Sequence, residues 1–305
     1  MQRNTAPRLE HVLGDTWCIV TGFARIPIYM PDRSNAVMID SGVEKPDRAG
    51  LLALLERENI RVSAILTSHF HFDHIGNHEA IKEKHGAEIY MTHFAALLGR
   101  NPLYQTAVTY ESMMTAILRG GPFDNPADHT FSANDDSVTA AGYTFKILPL
   151  PGHAQEHVGF VTPDGVAYLG DTILSQQVLR GIRVPYLTCC REDLESKASV
   201  MEMDYPCYIL AHNGICTSEI RELAQENIDS LQSKLQMVES LCDQYVTMER
   251  ITAEMIQSRS GDGNSLLRVI GAKRNMQTLV EYLQDTGRLK IRAKDGYVEY
   301  IRATE

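Results

Sequence analysis

The chain has little of what would commit it to nucleic acid, a membrane or an oxidising compartment. It carries 29 Lys and Arg against 39 Asp and Glu, a formal charge of −10, so it lacks the basic excess that a phosphate backbone or anionic lipid surface requires. No apolar run approaches the roughly 20 residues of a membrane span, and Met1 to Pro7 contain no apolar core of a secretory leader. The six cysteines, Cys18, Cys189, Cys190, Cys207, Cys216 and Cys242, include no Cys-x-x-Cys pair. Reduced thiols in a cytoplasmic protein are the simplest reading, with no membrane or nucleic-acid partner expected. Gly-rich phosphate loops and the Gly-x-Ser-x-Gly turn are also missing, which argues against phosphate-loop and serine-hydrolase chemistry. The composition, 44% hydrophobic and 22% charged over 305 residues, is that of an ordinary globular protein with room for one large core or two smaller ones.

What is present is a dense run of ligand-type side chains. His69, His71, Asp73 and His74 fall within six consecutive positions. Val62, Ala64, Ile65 and Leu66 precede them as a buried strand, and Gly76 to Ile81 follow as a turn entering a helix. The cluster therefore belongs on a loop at the C-terminal end of a strand, the usual place for a site in an α/β fold. Imidazole and carboxylate suit zinc or iron. His69 and His71 are two apart and project to one side of an extended segment, whereas Asp73 and His74 are adjacent and point differently, as a second ion would need. The plain alternative, a polar loop with fortuitous histidines, sits poorly with so dense a cluster.

His-x-His-x-Asp-His after an apolar strand and a Thr resembles the metallo-β-lactamase superfamily, and the resemblance makes demands elsewhere that the chain meets in order. Asp40 ends an early strand, His153 sits in a Pro-Gly-His element, Asp171 follows a strand in Gly-Asp-Thr, and His212 follows another strand. The implied fold is an α/β αββα sandwich over about residues 1–215. The implied assignment gives one ion to His69, His71 and His153 and the other to Asp73, His74 and His212. Asp171 would bridge them at roughly 3.5–4 Å, and Asp40 would support the loop from behind. His157 is expected to hydrogen-bond behind the ligands or line the pocket. Asp at the bridging position resembles the glyoxalase II, ribonuclease Z and lactonase branches more than the antibiotic-degrading branch, where Cys usually stands.

The remaining chain frames these motifs. Thr16 to Val20, Ile26 to Met30, Ala36 to Ile39, Glu88 to Met91, Tyr143 to Leu148 and Pro206 to Leu210 read as strands, and Phe160 to Leu169 as a hairpin. Pro46 to Leu55 and Asp193 to Met201 read as helices. Residues 100 to 130, with Tyr104, Tyr110, Met113, Met114, Ile117, Leu118 and Phe123, suit either a pocket wall or a core-packing helix. Arg180, Arg183 and Tyr186 lie on a stretch from Leu174 to Glu192 that suits an active-site loop and substrate contact. Residues 216–305 read as three helices and a closing hairpin. That pattern resembles a winged-helix-like appendage, but the acidic charge favours a helical cap or a homodimer face.

The resemblance and the charge chemistry together imply a dinuclear metal-dependent hydrolase of a small ester, thioester or lactone. The cofactors would be two divalent ions, zinc first, with iron or manganese sharing the same ligands. A metal-bound hydroxide would attack, since a divalent ion lowers the pKa of water from about 15.7 to near 7, and Asp73 or a metal-bound water would pass a proton to the leaving group. Two alternatives use the same scaffold: iron-dependent oxygen or persulfide chemistry, and a ligand-binding regulatory protein with little turnover.

Overall fold

The structure is a computed structural model that describes residues 6–101, 104, 105, 107, 108, 125–212, 214–216, 219–257 and 266–303. Two sheets face each other. The first runs β1 (Arg8–Leu13), β2 (Thr16–Val20), β3 (Arg25–Tyr29), β4 (Ala36–Ile39), β5 (Val62–Leu66), β6 (Glu88–Thr92) and β7 (His129–Phe131), paired in that order. Its first four strands are antiparallel and β4 to β7 are parallel. The second is ordered β13-β12-β11-β10-β9-β8, from β8 (Ser137–Ala140), β9 (Tyr143–Pro149), β10 (Val158–Val161), β11 (Val166–Tyr168), β12 (Cys207–Leu210) and β13 (Gly214–Cys216). Only β11 and β12 pair in parallel there.

Alternation along the strands decides what fills the space between the sheets. Val37, Ile39, Ala64 and Leu66 of the first sheet meet Phe145, Ile147, Val158, Phe160 and Ile209 of the second. The opposite face of the first sheet, with Ile28, Met38, Val62 and Ile65, is covered by Leu51, Leu54 and Leu55 of α1 (Arg48–Arg57) and Ile81 of α3 (His78–His85). The outer face of the second sheet packs Leu148, Leu169 and Leu210 on Val200 of α6 (Cys190–Met201) and on Ile220, Leu223 and Ala224 of α7 (Ile220–Leu241). Helix, sheet, sheet and helix layers result, as the resemblance implies.

Strand β14 (Val246–Thr247), α8 (Met248–Gln257), α9 (Leu266–Asp285) and the β15 (Leu289–Lys294) and β16 (Tyr297–Arg302) hairpin follow α7. A third short strand, β14, extends the expected hairpin into a sheet ordered β14-β16-β15. Met276, Leu279, Val280 and Leu283 of α9 share a core with Leu231, Leu235 and Val238 of α7 and with Leu187 and Cys190. The C-terminal helices are therefore anchored beside the 174–192 stretch. Tyr245 falls after α7 rather than on its buried face and is 42% exposed. Cys18, Cys189, Cys190, Cys207 and Cys242 are free. No helix of the described residues is long and apolar enough to cross a membrane. The pocket-wall reading of Tyr110, Met113, Met114, Ile117, Leu118 and Phe123 concerns residues outside the described ones.

Candidate metal centre

The ligand-type residues arrive from four places and meet at one end of the sandwich. His69 and His71 follow β5, His71 in extended backbone, and the one-turn helix α2 (Phe72–Ile75) carries Asp73 and His74. His153 follows β9, Asp171 follows β11 and His212 follows β12. His69 Nε2 lies 2.8 Å from His71 Nδ1, and His153 Nε2 lies 3.1 Å from the same atom. Asp171 faces both ways: Oδ2 is 3.3 Å from His153 Nε2, while Oδ1 is 3.3 Å from His212 Nε2 and 3.5 Å from His74 Nε2. Asp73 Oδ2 is 3.4 Å from His212 Nε2. Three overlapping groups thus have ligand atoms close enough to share an ion: His69, His71 and His153; His69, His74 and Asp171; and Asp73, His74 and His212.

These donors fit a divalent metal. Tetrahedral zinc with bonds of about 2.0–2.1 Å separates neighbouring ligand atoms by roughly 3.3 Å, near the spacing of the Asp171 contacts. His74 Nε2 and Asp171 Oδ1 are buried yet hydrogen-bond to nothing among the described residues, an arrangement native proteins rarely keep without a bound group to satisfy it.

Burial dominates the protonation of the rings. It is the main reason that His69 and His153 are held well below the ordinary imidazole range and that His71 and His157 fall to about 4. These rings are neutral at pH 7, the form that offers a lone pair to a metal. Burial is the largest single effect on His74 and His212 and opposes their charge, but it is outweighed by Asp171 and Asp40 together at His74 and by Asp171 and Asp73 together at His212. His74 is held well above its ordinary value and His212 at about 10. The two protons balance the carboxylate of Asp171, which the same histidines hold well below its usual range despite burial. A divalent cation would supply that positive charge and release the protons.

The supporting bonds fix which ring nitrogen faces the centre. Asp40 ends β4 with φ +61, and its carboxylate accepts from Ser68 N at 2.8 Å, Ser68 Oγ at 2.7 Å, His74 Nδ1 at 2.8 Å and Tyr168 Oη at 2.7 Å. With Nδ1 donating to Asp40, His74 aims Nε2 at Asp171. His212 Nδ1 lies 3.1 Å from the Phe23 carbonyl, which aims its Nε2 at Asp73 and Asp171. The backbone N–H of Asp171 donates to His157 Nε2 at 3.2 Å. His157 therefore stands behind Asp171, as expected from the sequence. His78 joins two loops by bonding Ser41 Oγ at 2.7 Å and Thr67 Oγ1 at 2.8 Å.

Tyr168, Phe23 and His78 escape sequence reading because each occupies an ordinary strand, turn or helix position. Only the register across the sandwich, with Tyr168 opposite Asp40, shows their use. Tyr168→Phe is expected to lower stability by about 2 kcal/mol, the scale of a buried hydrogen bond to a carboxylate, and to weaken metal retention about tenfold. Urea denaturation and competition with a chelator measure the two effects; unchanged metal affinity would make Tyr168 a packing residue only.

The remaining candidates divide. Tyr186 touches the site: its ring lies edge-on to His71 at 4.7 Å and tilted against His153 at 5.5 Å. Arg180, by contrast, is exposed on α5 (Gln176–Gly181). Two histidines outside the cluster have other surroundings: His93 begins α4 (His93–Gly99), and His129 stacks on Tyr90 at 4.5 Å.

Residues 28–212 match the metallo-beta-lactamase superfamily. Over 146 residues the chain is 30% identical to a hydroxyacylglutathione hydrolase of Haemophilus influenzae, covering 47% of this chain and 63% of that protein. It is 32% identical over 143 residues to a hydroxyacylglutathione hydrolase of Xanthomonas campestris pv. campestris, covering 46% and 43%. The matched stretch thus spans less than two thirds of either relative. Among solved structures, a metallo-beta-lactamase family protein from Thermus thermophilus superposes with a TM-score of 0.70 at 18% identity, over 98% of this chain and 99% of that one. A beta-lactamase domain protein from Burkholderia ambifaria gives 0.73 at 16% identity, over 99% and 96%. With the family match running from β3 to the last of the clustered histidines, the chain belongs to the metallo-beta-lactamase superfamily.

Proposed function

We propose that the protein is a dinuclear metal-dependent hydrolase of a small ester, thioester or lactone. The observation that carries this reading is Asp171, whose two oxygens face different groups of histidines. His69, His71 and His153 would hold one ion, Asp73, His74 and His212 the other, and Asp171 both. Zinc is the first candidate for both ions. The relatives' name adds weight to a thioester, since a hydroxyacylglutathione is one.

A divalent ion at such a site acidifies water and polarises a carbonyl oxygen. The chain supplies the rest. Asp40 and the Phe23 carbonyl hold His74 and His212 in single orientations, so the ligand set needs little rearrangement as charge develops. Tyr186 packs against the rings of His71 and His153. Burial raises the pKa of Asp73, but its hydrogen bond with His212 and the charge of His74 oppose this and the net shift is downward. Asp73 is therefore ionised at neutral pH, the form that would hold a cation, and an oxygen of Asp73 not so engaged could relay a proton from water to the leaving group.

The test is metal analysis of protein purified without added metal, together with a panel of thioesters, esters and lactones. About two ions per chain and turnover that a chelator abolishes are expected. Chelator-insensitive turnover, or oxygen consumption without hydrolysis, would overturn the reading.

A further inference from the structure

One buried cation near the metal centre has no part in holding a metal. Arg274, on α9, is only 8% exposed. Its guanidinium carbon lies over the ring of Tyr186 at 4.7 Å from the centroid. That ring in turn meets the ring of His71 at 4.7 Å and that of His153 at 5.5 Å. Two contacts therefore join a guanidinium of the C-terminal region to the histidines of the N-terminal one.

Among the described residues, the groups that Arg274 touches are neutral. Its Nη1 donates to the Leu187 carbonyl and, at 3.1 Å, to Asn275 Oδ1. A buried guanidinium among neutral partners is costly unless an anion compensates it. Its fork of donors matches a carboxylate, and stacking on a phenol ring holds the fork flat and pre-oriented. In a chain of net charge −10, an acidic substrate needs such a local cation to overcome repulsion from the rest of the surface.

We infer that Arg274, laid on Tyr186, is the subsite for a carboxylate on the substrate whose acyl bond is cut beside His71 and His153. The inference rests on the hydrolase reading and narrows it: the preferred ester or thioester is an acidic one. Arg274 is then a specificity residue supplied by the C-terminal helices.

A purely structural role is the rival, since Arg274 also ties α9 to the Leu187 loop. The experiment uses the full, metal-loaded chain and two thioesters of 3-mercaptopropionate, one with the free carboxylate and one with its methyl ester. In the unmodified protein kcat/KM should favour the carboxylate. In Arg274→Gln the ratio of the two kcat/KM values should fall about tenfold or more, mainly through KM, and Arg274→Lys should restore part of it. An equal fall for both thioesters would make Arg274 a structural clamp and overturn the inference. Calorimetric binding of 3-mercaptopropionate and its methyl ester reads the subsite without turnover. Equal loss of both in Arg274→Gln sinks the subsite. Discrimination by the unmodified protein that Arg274→Gln abolishes, with neither thioester hydrolysed, sinks the hydrolase reading and leaves the subsite standing.

Discussion

Asp171→Ala is expected to lose most of its bound metal and at least about a thousandfold in kcat/KM for ester or thioester hydrolysis. The size follows from its position. One oxygen faces His153 and the other faces His74 and His212, all within 3.5 Å. The two nearby carboxylates do not duplicate this position: Asp40 is committed to Ser68, His74 and Tyr168, and Asp73 belongs to the group with His74 and His212. His69→Ala should also lose metal. Asp171→Asn keeps the shape and removes the charge, so it should retain more metal than alanine but less than the unmodified protein. Metal content by mass spectrometry and initial rates decide the matter. Wild-type metal content in both alanine variants would remove the ligand assignment altogether.

Gly152→Ala should be nearly as damaging, although position 152 contributes no ligand. The residue has φ +119, and a Cβ there would lie 2.1 Å from the backbone nitrogen of Asp193 and 2.4 Å from its Cα. Backbone at the start of α6 cannot yield as a side-chain tip would. The Gly152 carbonyl is fixed by Thr188 N at 2.7 Å and Cys189 N at 3.1 Å, and the Pro151 carbonyl by Ser196 Oγ at 2.7 Å. Relief must therefore move the loop that carries His153. Strain and overpacking together predict a loss of about 3 kcal/mol or more, with impaired metal binding. Gly86→Ala is the comparison, since φ there is +73 but nothing lies within 4 Å of the added atom. It should cost about 1 kcal/mol and leave metal content unchanged. Equal urea midpoints for the two variants would refute the clash argument.

The seven clustered residues were legible as a pattern because ligand-type side chains recur shortly after apolar strands. Strands such as β2 and β4 and the helix α1 were legible from their periodicity. Short strands were harder: β1, β7, β8, β13 and β14 are brief or polar, and pairing with neighbours rather than local pattern makes them strands. The supports were invisible for a similar reason. Tyr168 looks like one more residue of a buried strand, and nothing in residues 266–285 announces that Arg274 will lie on Tyr186. Contacts between segments this far apart follow from topology, which local spacing does not encode.

Asp40 lies at the seam of the sandwich, at the end of a strand in one sheet and bonded to a tyrosine of the other. The clustered side chains are split the same way, with His69, His71, Asp73 and His74 from one half and His153, Asp171 and His212 from the other. Neither half can assemble the centre by itself, so capture of a cation there would report that the halves have joined. By mass action it would also favour the joined state, and a protein stripped of that cation should open first along this edge.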